Sequence, residues 1–144
     1  MNEFREIFRS FANEQISNPD KSGLSLIEGD EKDIFEFRST LETGFNFQLE
    51  CFDYGIYPYA GNWHSGCWDV TVCESNELTK SLKEFVNSLM NNALLEIYFS
   101  NGNSYKWKMH YEFEGELVSD ETGLIFYNWF GQKSVKSLSN AKGN

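Results

Sequence analysis

The chain has 144 residues, 40% hydrophobic and 17% aromatic, with a formal net charge of −10. That is enough apolar material for one packed domain, and it excludes a wholly disordered chain. No apolar run approaches the roughly 18 to 20 residues that span a bilayer, and the negative charge argues against nucleic acid and anionic membrane as partners.

The charge is unevenly spread. Residues 1–130 hold nine of the 12 Lys/Arg and all 22 Asp/Glu, so this body carries −13, while Lys133, Lys136 and Lys142 fall in the last stretch. An acidic body attracts cationic proteins and speeds their association at low salt. At the N-terminus Glu3 and Glu6 stand where a signal peptide would be basic, and no unbroken apolar stretch follows. The expected location is therefore the cytoplasm. Cys51, Cys67 and Cys73 are an odd count, which in a cytoplasmic chain means free thiols without a disulfide frame.

The first segment places Phe4, Ile7, Phe8 and Phe11 at helical spacing on one face, and Asn18-Pro19-Asp20 stops it. Leu24, Leu26 and Ile27 read as a short edge strand, and Ile34 to Ser39 as a second strand. Phe45, Phe47, Leu49 and Cys51 alternate with polar residues, the pattern of a half-buried antiparallel strand. Between Tyr54 and Gly66 the chain reads YGIYPYAGNWHSG, rich in rings, glycine and proline, and is expected to be an irregular loop. Trp68, Val70 and Val72 then alternate as a strand.

A second helix is expected from Ser75 or Asn76, burying Leu78, Leu82, Phe85, Val86, Leu89 and Met90. Leu95 to Ser100 and the alternating run Tyr105 to Phe113 form a hairpin around Asn101-Gly102. Asp120 to Gly123 is expected to turn the chain into a last strand, Leu124 to Phe130. The fold expected is α+β: a mostly antiparallel twisted sheet of five to six strands with two helices packed on one face. Residues 1–130 form the domain, and the polar tail 131–144 is expected to be disordered. A faint α-βββ repeat is visible, but its helix and strand offsets disagree, so duplication is not inferred.

No phosphate-binding loop, dinucleotide fingerprint, HExxH or GxSxG motif is present. His64, Cys67 and Asp69 crowd together, yet a reactive thiolate needs a positive setting and this one is acidic. Cys51 and Cys73 lack the closely spaced partners of a structural zinc site. Neither a metal nor a cofactor is expected, and no catalytic residue is assigned. The features that remain are rings and carboxylates. Tyr54, Tyr57, Tyr59, Trp63 and His64 form a ring-rich segment, and Glu112, Glu114, Glu116, Asp120 and Glu121 form an acidic cluster. A second acidic run is Glu28, Asp30, Glu31, Asp33 and Glu36. Tyrosine and tryptophan bury much area with few torsions to freeze, which suits an interface anchor, and carboxylates suit the Lys and Arg of a partner.

In size, charge and order of elements the chain resembles the small acidic cytosolic immunity proteins of bacterial toxin systems, such as contact-dependent inhibition. The segment Trp63 to Asp69, WHSGCWD, is distinctive but belongs to no family motif. The resemblance implies an inhibitor, not an enzyme, whose expected partner is a basic toxin of the nuclease class. The ten residues of the ring-rich segment and acidic cluster are the expected contact surface. The alternative is a small carbohydrate- or ligand-binding domain, enzymatic or not, built on loop 54–66 with Asp53, His64 and Asp69. These features leave the oligomeric state open.

Overall fold

Glu3–Ser17 forms α1, and its first turn is closed by Asn2, whose side chain accepts the Arg5 N–H at 3.1 Å. Phe4, Phe8, Phe11 and Ala12 are buried along one stripe, as the spacing requires. Asn18, before Pro19, is extended and ends the helix. This computed structural model describes residues 2–66, 68–69, 75–123 and 131–141, with only the backbone described at 68, 69 and 75. The expected strand 124–130, the strand residues Val70 and Val72, and Cys67 and Cys73 lie outside the described residues.

Two antiparallel sheets follow. The first is built from β1 (Leu24–Ile27), β2 (Lys32–Phe37), β3 (Phe47–Phe52), β4 (Gly55–Ala60), β5 (Trp63–His64) and β6 (Trp68–Asp69). Its order is β1-β2-β3-β4-β5, with β6 also paired to β4. The segment expected to be an irregular loop is therefore mostly strand. Gln48 faces Tyr59 and Cys51 faces Ile56 across the β3–β4 pair. Pro58 is tolerated because its carbonyl points to the far edge of β4, where it accepts the Ser65 N–H at 3.2 Å. Its missing N–H thus removes no bond to β3.

α2 spans Ser75–Asn91 and buries Leu78, Leu82, Phe85, Val86 and Leu89. The second sheet contains β7 (Leu94–Ser100), β8 (Asn103–Phe113), β9 (Glu116–Gly123) and β10 (Lys133–Ser139), in the order β10-β7-β8-β9. The Asn101-Gly102 turn has φ of 51° and 82°, the two positive values of a type I′ hairpin. A second such turn, Glu114-Gly115 with φ of 54° and 78°, was not expected. It reverses the chain earlier than the sequence suggests, so Asp120 to Gly123 is strand and not turn.

The tail is also corrected. Residues 133–139 pair with β7 from Lys133–Ser100 to Ser139–Leu94. Low apolar content misled the expectation, because an edge strand is held chiefly by its backbone ladder. Asn140 completes the attachment. It is buried, its amide oxygen accepts the Phe45 N–H at 2.9 Å, and its nitrogen donates to Phe45 O and Leu89 O.

The α+β architecture is as expected, with its strands divided between two sheets. The helices pack on each other, α1 against the first sheet and α2 against β8. A single hydrophobic core runs through both halves. The sheets meet where β5 touches β9. The Thr122 hydroxyl donates to His64 O at 3.0 Å and accepts the His64 N–H at 3.1 Å, and the Trp63 indole N–H donates to Asp120 O at 3.1 Å. α1 packs on the first sheet and α2 on β8, and the faces turned away from them are free of helix. No helix among the described residues is long and apolar enough to cross a membrane.

One charged cluster lies inside. Asp33 is fully buried, and Arg5 is only 2% exposed. Arg5 donates to Asp33 at 2.9 Å and to the Asp30 and Gly29 carbonyls, while Arg9 donates to Asp33 at 2.8 Å and lies 3.5 Å from Glu28. This cluster fastens α1 to the β1–β2 turn and withdraws Asp33 from the acidic run of the surface. Burial alone would raise the Asp33 carboxyl; the hydrogen bonds from Arg9 and Arg5 outweigh it and hold it down to about 2. Its folded value lies below the ordinary 3.8, so its stabilisation is present above about pH 4 and is lost as pH falls toward 2. That shift corresponds to ~2 kcal/mol. In urea unfolding, Asp33→Asn should lose ~3 kcal/mol at neutral pH, by stranding two guanidinium groups, and should flatten the stability change between pH 4 and 2.

Candidate functional site at the sheet seam

Strand alternation decides which rings reach the helix-free side. On β4, Ile56, Pro58 and Ala60 are buried, while Tyr57 and Tyr59 between them are half-buried and point outward. Phe52 does the same on β3. Tyr54, in the turn after β3, is 59% exposed and stacks on Phe52 with centroids 5.4 Å apart and planes at 19°. Tyr57 meets Phe52 edge-on at 5.7 Å and Tyr54 at 6.3 Å. His64 is exposed on β5 opposite Tyr59, with ring centroids 6.3 Å apart.

The seam brings β9 to these rings. Tyr57, Tyr59, His64, Ser65, Gly66, Asp120 and Glu121 surround one open concavity of about 540 Å³. A second, of about 220 Å³, lies across Tyr59 and is lined by Glu36, Asn46, Phe47, Gln48 and Gly61. Tyr59 is thus the wall between two indentations on the same side. Asp120 and Glu121 contribute differently. The Asp120 carboxylate accepts the Tyr111 hydroxyl at 3.3 Å; burial first, then this carboxylate, push the Tyr111 phenol up to about 12. Glu121 turns outward and has Lys108 at 3.7 Å and Lys106 at 3.9 Å. The two lysines offset part of its charge, so the concavity is less negative than the sequence implies.

Five of the ten expected contact residues, Tyr57, Tyr59, His64, Asp120 and Glu121, therefore stand together. Tyr54 joins them through the ring cluster. Trp63 does not, because it is fully buried, edge-on to Tyr111 at 6.5 Å, and its indole belongs to the seam. Glu112, Glu114 and Glu116 are exposed at the tip of the β8–β9 hairpin. Glu116 is five residues along β9 from Glu121, roughly 17 Å away. The early turn also separates their directions: Glu112 pairs with Leu117 on the outer face, and Glu116 pairs with Phe113 on the inner one.

The alternative trio is not assembled either. Asp53 is 61% exposed and lies 3.5 Å from Arg5. Asp69 pairs by backbone with Gly55, whereas His64 pairs with Tyr59, four residues along β4 and roughly 13 Å away. Burial pushes the Cys51 thiol up to about 12, so it stays protonated and unreactive. Among the described residues no three His, Cys, Asp or Glu side chains gather as a metal-binding set. A separate cavity of about 210 Å³ at the far end of β2 includes Lys21 and Arg38. Their charged ends are already engaged, Lys21 by Gln15 and Asn87 and Arg38 by Glu36.

Comparison of the chain with protein-family models, curated proteins and solved structures gives no match. The functional reading therefore rests on the geometry alone. That geometry makes Trp63 a structural residue and Tyr54 a surface one. Trp63→Ala should cost ~3–5 kcal/mol in chemical denaturation. Tyr54→Ala should cost ~1 kcal/mol or less, its stacking on Phe52 being the main loss.

Proposed function

We propose that this chain is a protein-binding inhibitor, a cytoplasmic immunity protein of a bacterial toxin system that occludes a cognate basic toxin of the nuclease class. The observation that carries this reading is the concavity at the seam. It sets Tyr57, Tyr59 and His64 beside Asp120 and Glu121 on the side of the molecule that the helices leave open. Phenol rings there offer large, rigid contact area, and the carboxylates offer acceptors for Lys or Arg.

Two ranges of force divide the work in this reading. The long-range pull comes from the whole body, at −13 over residues 1–130, with the exposed hairpin tip Glu112, Glu114 and Glu116 adding to it. The short-range grip comes from the rings, because Lys106 and Lys108 already offset Glu121. The reading needs no cofactor, metal, nucleic acid or membrane. A second reading draws on the same concavity, since two tyrosine walls also suit the apolar face of a sugar.

The test takes any basic domain encoded beside the gene for this chain and measures binding to it and protection against it. Tyr57→Ala with Tyr59→Ala should raise the dissociation rate at least ~10-fold with little change in association, the usual pattern for buried interface anchors. Charge reversal at Glu112, Glu114 and Glu116 should instead slow association several-fold at low salt and flatten its salt dependence. Failure of the wild-type chain to bind or protect sinks the inhibitor reading. A melting temperature raised by one member of a sugar panel, with no toxin binding, favours the second reading.

A further inference from the structure

The outer face of the second sheet carries a constellation that neither the sequence reading nor the inhibitor proposal uses. His110 on β8 faces Ser119 on β9 directly across the strand pair. Ser119 Oγ lies 2.7 Å from His110 Nδ1, and Glu96 Oε1 on β7 lies 2.5 Å from His110 Nε2. With the proton on Nε2, the serine hydroxyl donates to Nδ1 and the imidazole donates to Glu96. That is a nucleophile bonded to a base, and a base bonded to an orienting carboxylate.

The three groups sit on neighbouring strands, so each is positioned by the ladder and not by a loop. Glu96 is fixed further by the Tyr98 hydroxyl, which donates to Oε1 at 3.2 Å. The hydrogen bond from His110 is the first cause that lowers the Glu96 carboxyl below its usual range, so it stands ready as the anionic partner of the ring. Ser119 is exposed, and its hydroxyl is open to a reagent arriving from solvent. Glu121, the next residue on the same face of β9, lines the seam concavity, so the nucleophile stands roughly 7 Å from that space. Lys108 lies diagonally across from Ser119, next to both Glu96 and Glu121, within reach of a charge that develops there.

We infer that Ser119 is a nucleophile activated by His110 and oriented through it by Glu96, able to accept an acyl group from an activated ester bound against the seam concavity. In the step, Ser119 Oγ bonds to the acyl carbon as its proton passes to His110 Nδ1, and the carbonyl pair moves onto oxygen. Collapse breaks the bond to the leaving oxygen, which takes the proton from His110. The product is acyl-Ser119 and an alcohol or phenol. Water then enters by the same route: its oxygen bonds to the acyl carbon as His110 accepts its proton, and collapse breaks the bond to Ser119 Oγ, which takes that proton back and releases the carboxylic acid. This inference is independent of the inhibitor proposal.

The experiment treats the full chain with an alkyl fluorophosphonate and, separately, with p-nitrophenyl acetate, following intact mass, modified peptide and phenol release. One adduct at Ser119 is expected in the wild type and none in Ser119→Ala. His110→Gln should slow modification at least ~100-fold, the lower end for a lost general base, with its far-ultraviolet dichroism unchanged. Glu96→Gln tests the positioning role: modification should slow with the fold intact, and Glu96→Asp, which keeps a carboxylate for the His110 ring, should recover part of the rate. No adduct at Ser119 in the folded wild type, or equal labelling in His110→Gln, overturns the inference.

Discussion

The Trp63 indole N–H on the Asp120 carbonyl is the bond on which the helix-free side depends. It ties β5 of the first sheet to the edge strand β9 of the second, and the paired Thr122 and His64 bonds lock the register beside it. Trp63 fills the space under the seam against Tyr111, which in turn meets Phe85 of α2 edge-on at 5.3 Å. The core of the second helix and the open face of the first sheet are thereby held by one side chain. Loss of that side chain would empty the space under the seam and leave the paired Thr122–His64 bonds to hold Tyr57, Tyr59 and His64 beside Asp120 and Glu121.

Charge in this chain works at three depths. Asp33, Arg5 and Arg9 are spent on fastening α1 to the first sheet, where low dielectric makes a satisfied cluster strong and a broken one costly. On the outer face of the second sheet, Lys106 and Lys108 meet Glu121, Lys108 also pairs across from Glu96, and His110 is hydrogen-bonded to Glu96. The hairpin tip adds three exposed acids, Glu112, Glu114 and Glu116. Net charge therefore overstates how negative any one surface is, and the seam depends more on its rings than on its carboxylates.

Local pattern was legible where neighbouring residues decide it. The helical stripe of Phe4, Phe8 and Phe11, the stripe of α2, and the alternation of β3 and β8 all follow from period alone. The gathering of Tyr57, Tyr59 and His64 with Asp120 and Glu121 was anticipated as a set of residues but not as a place. The ring-rich segment misled because glycine and proline within it suggest a loop. Pro58 shows why that inference fails: its missing donor faces away from β3, so the β3–β4 ladder loses no bond. The Glu114-Gly115 turn was missed because glutamate is an unusual residue at positive φ. Ser119, Glu96 and His110 lie on three strands, and no spacing along the chain signals that they meet.

By itself the sequence determined the class of the molecule: an acidic α+β domain with two amphipathic helices, antiparallel strands and a ring-rich segment at 54–66. Those properties are set by composition and by periods of two and 3.6 residues, which act over one or two turns of chain. Tertiary structure alone decided that Trp63 is core, that Asp33 is internal, that residues 133–139 complete a sheet, and that strands from opposite halves share one concavity. Each of these requires contact between residues far apart in the chain, where the free energy comes from packing and satisfied polar groups that no local window contains.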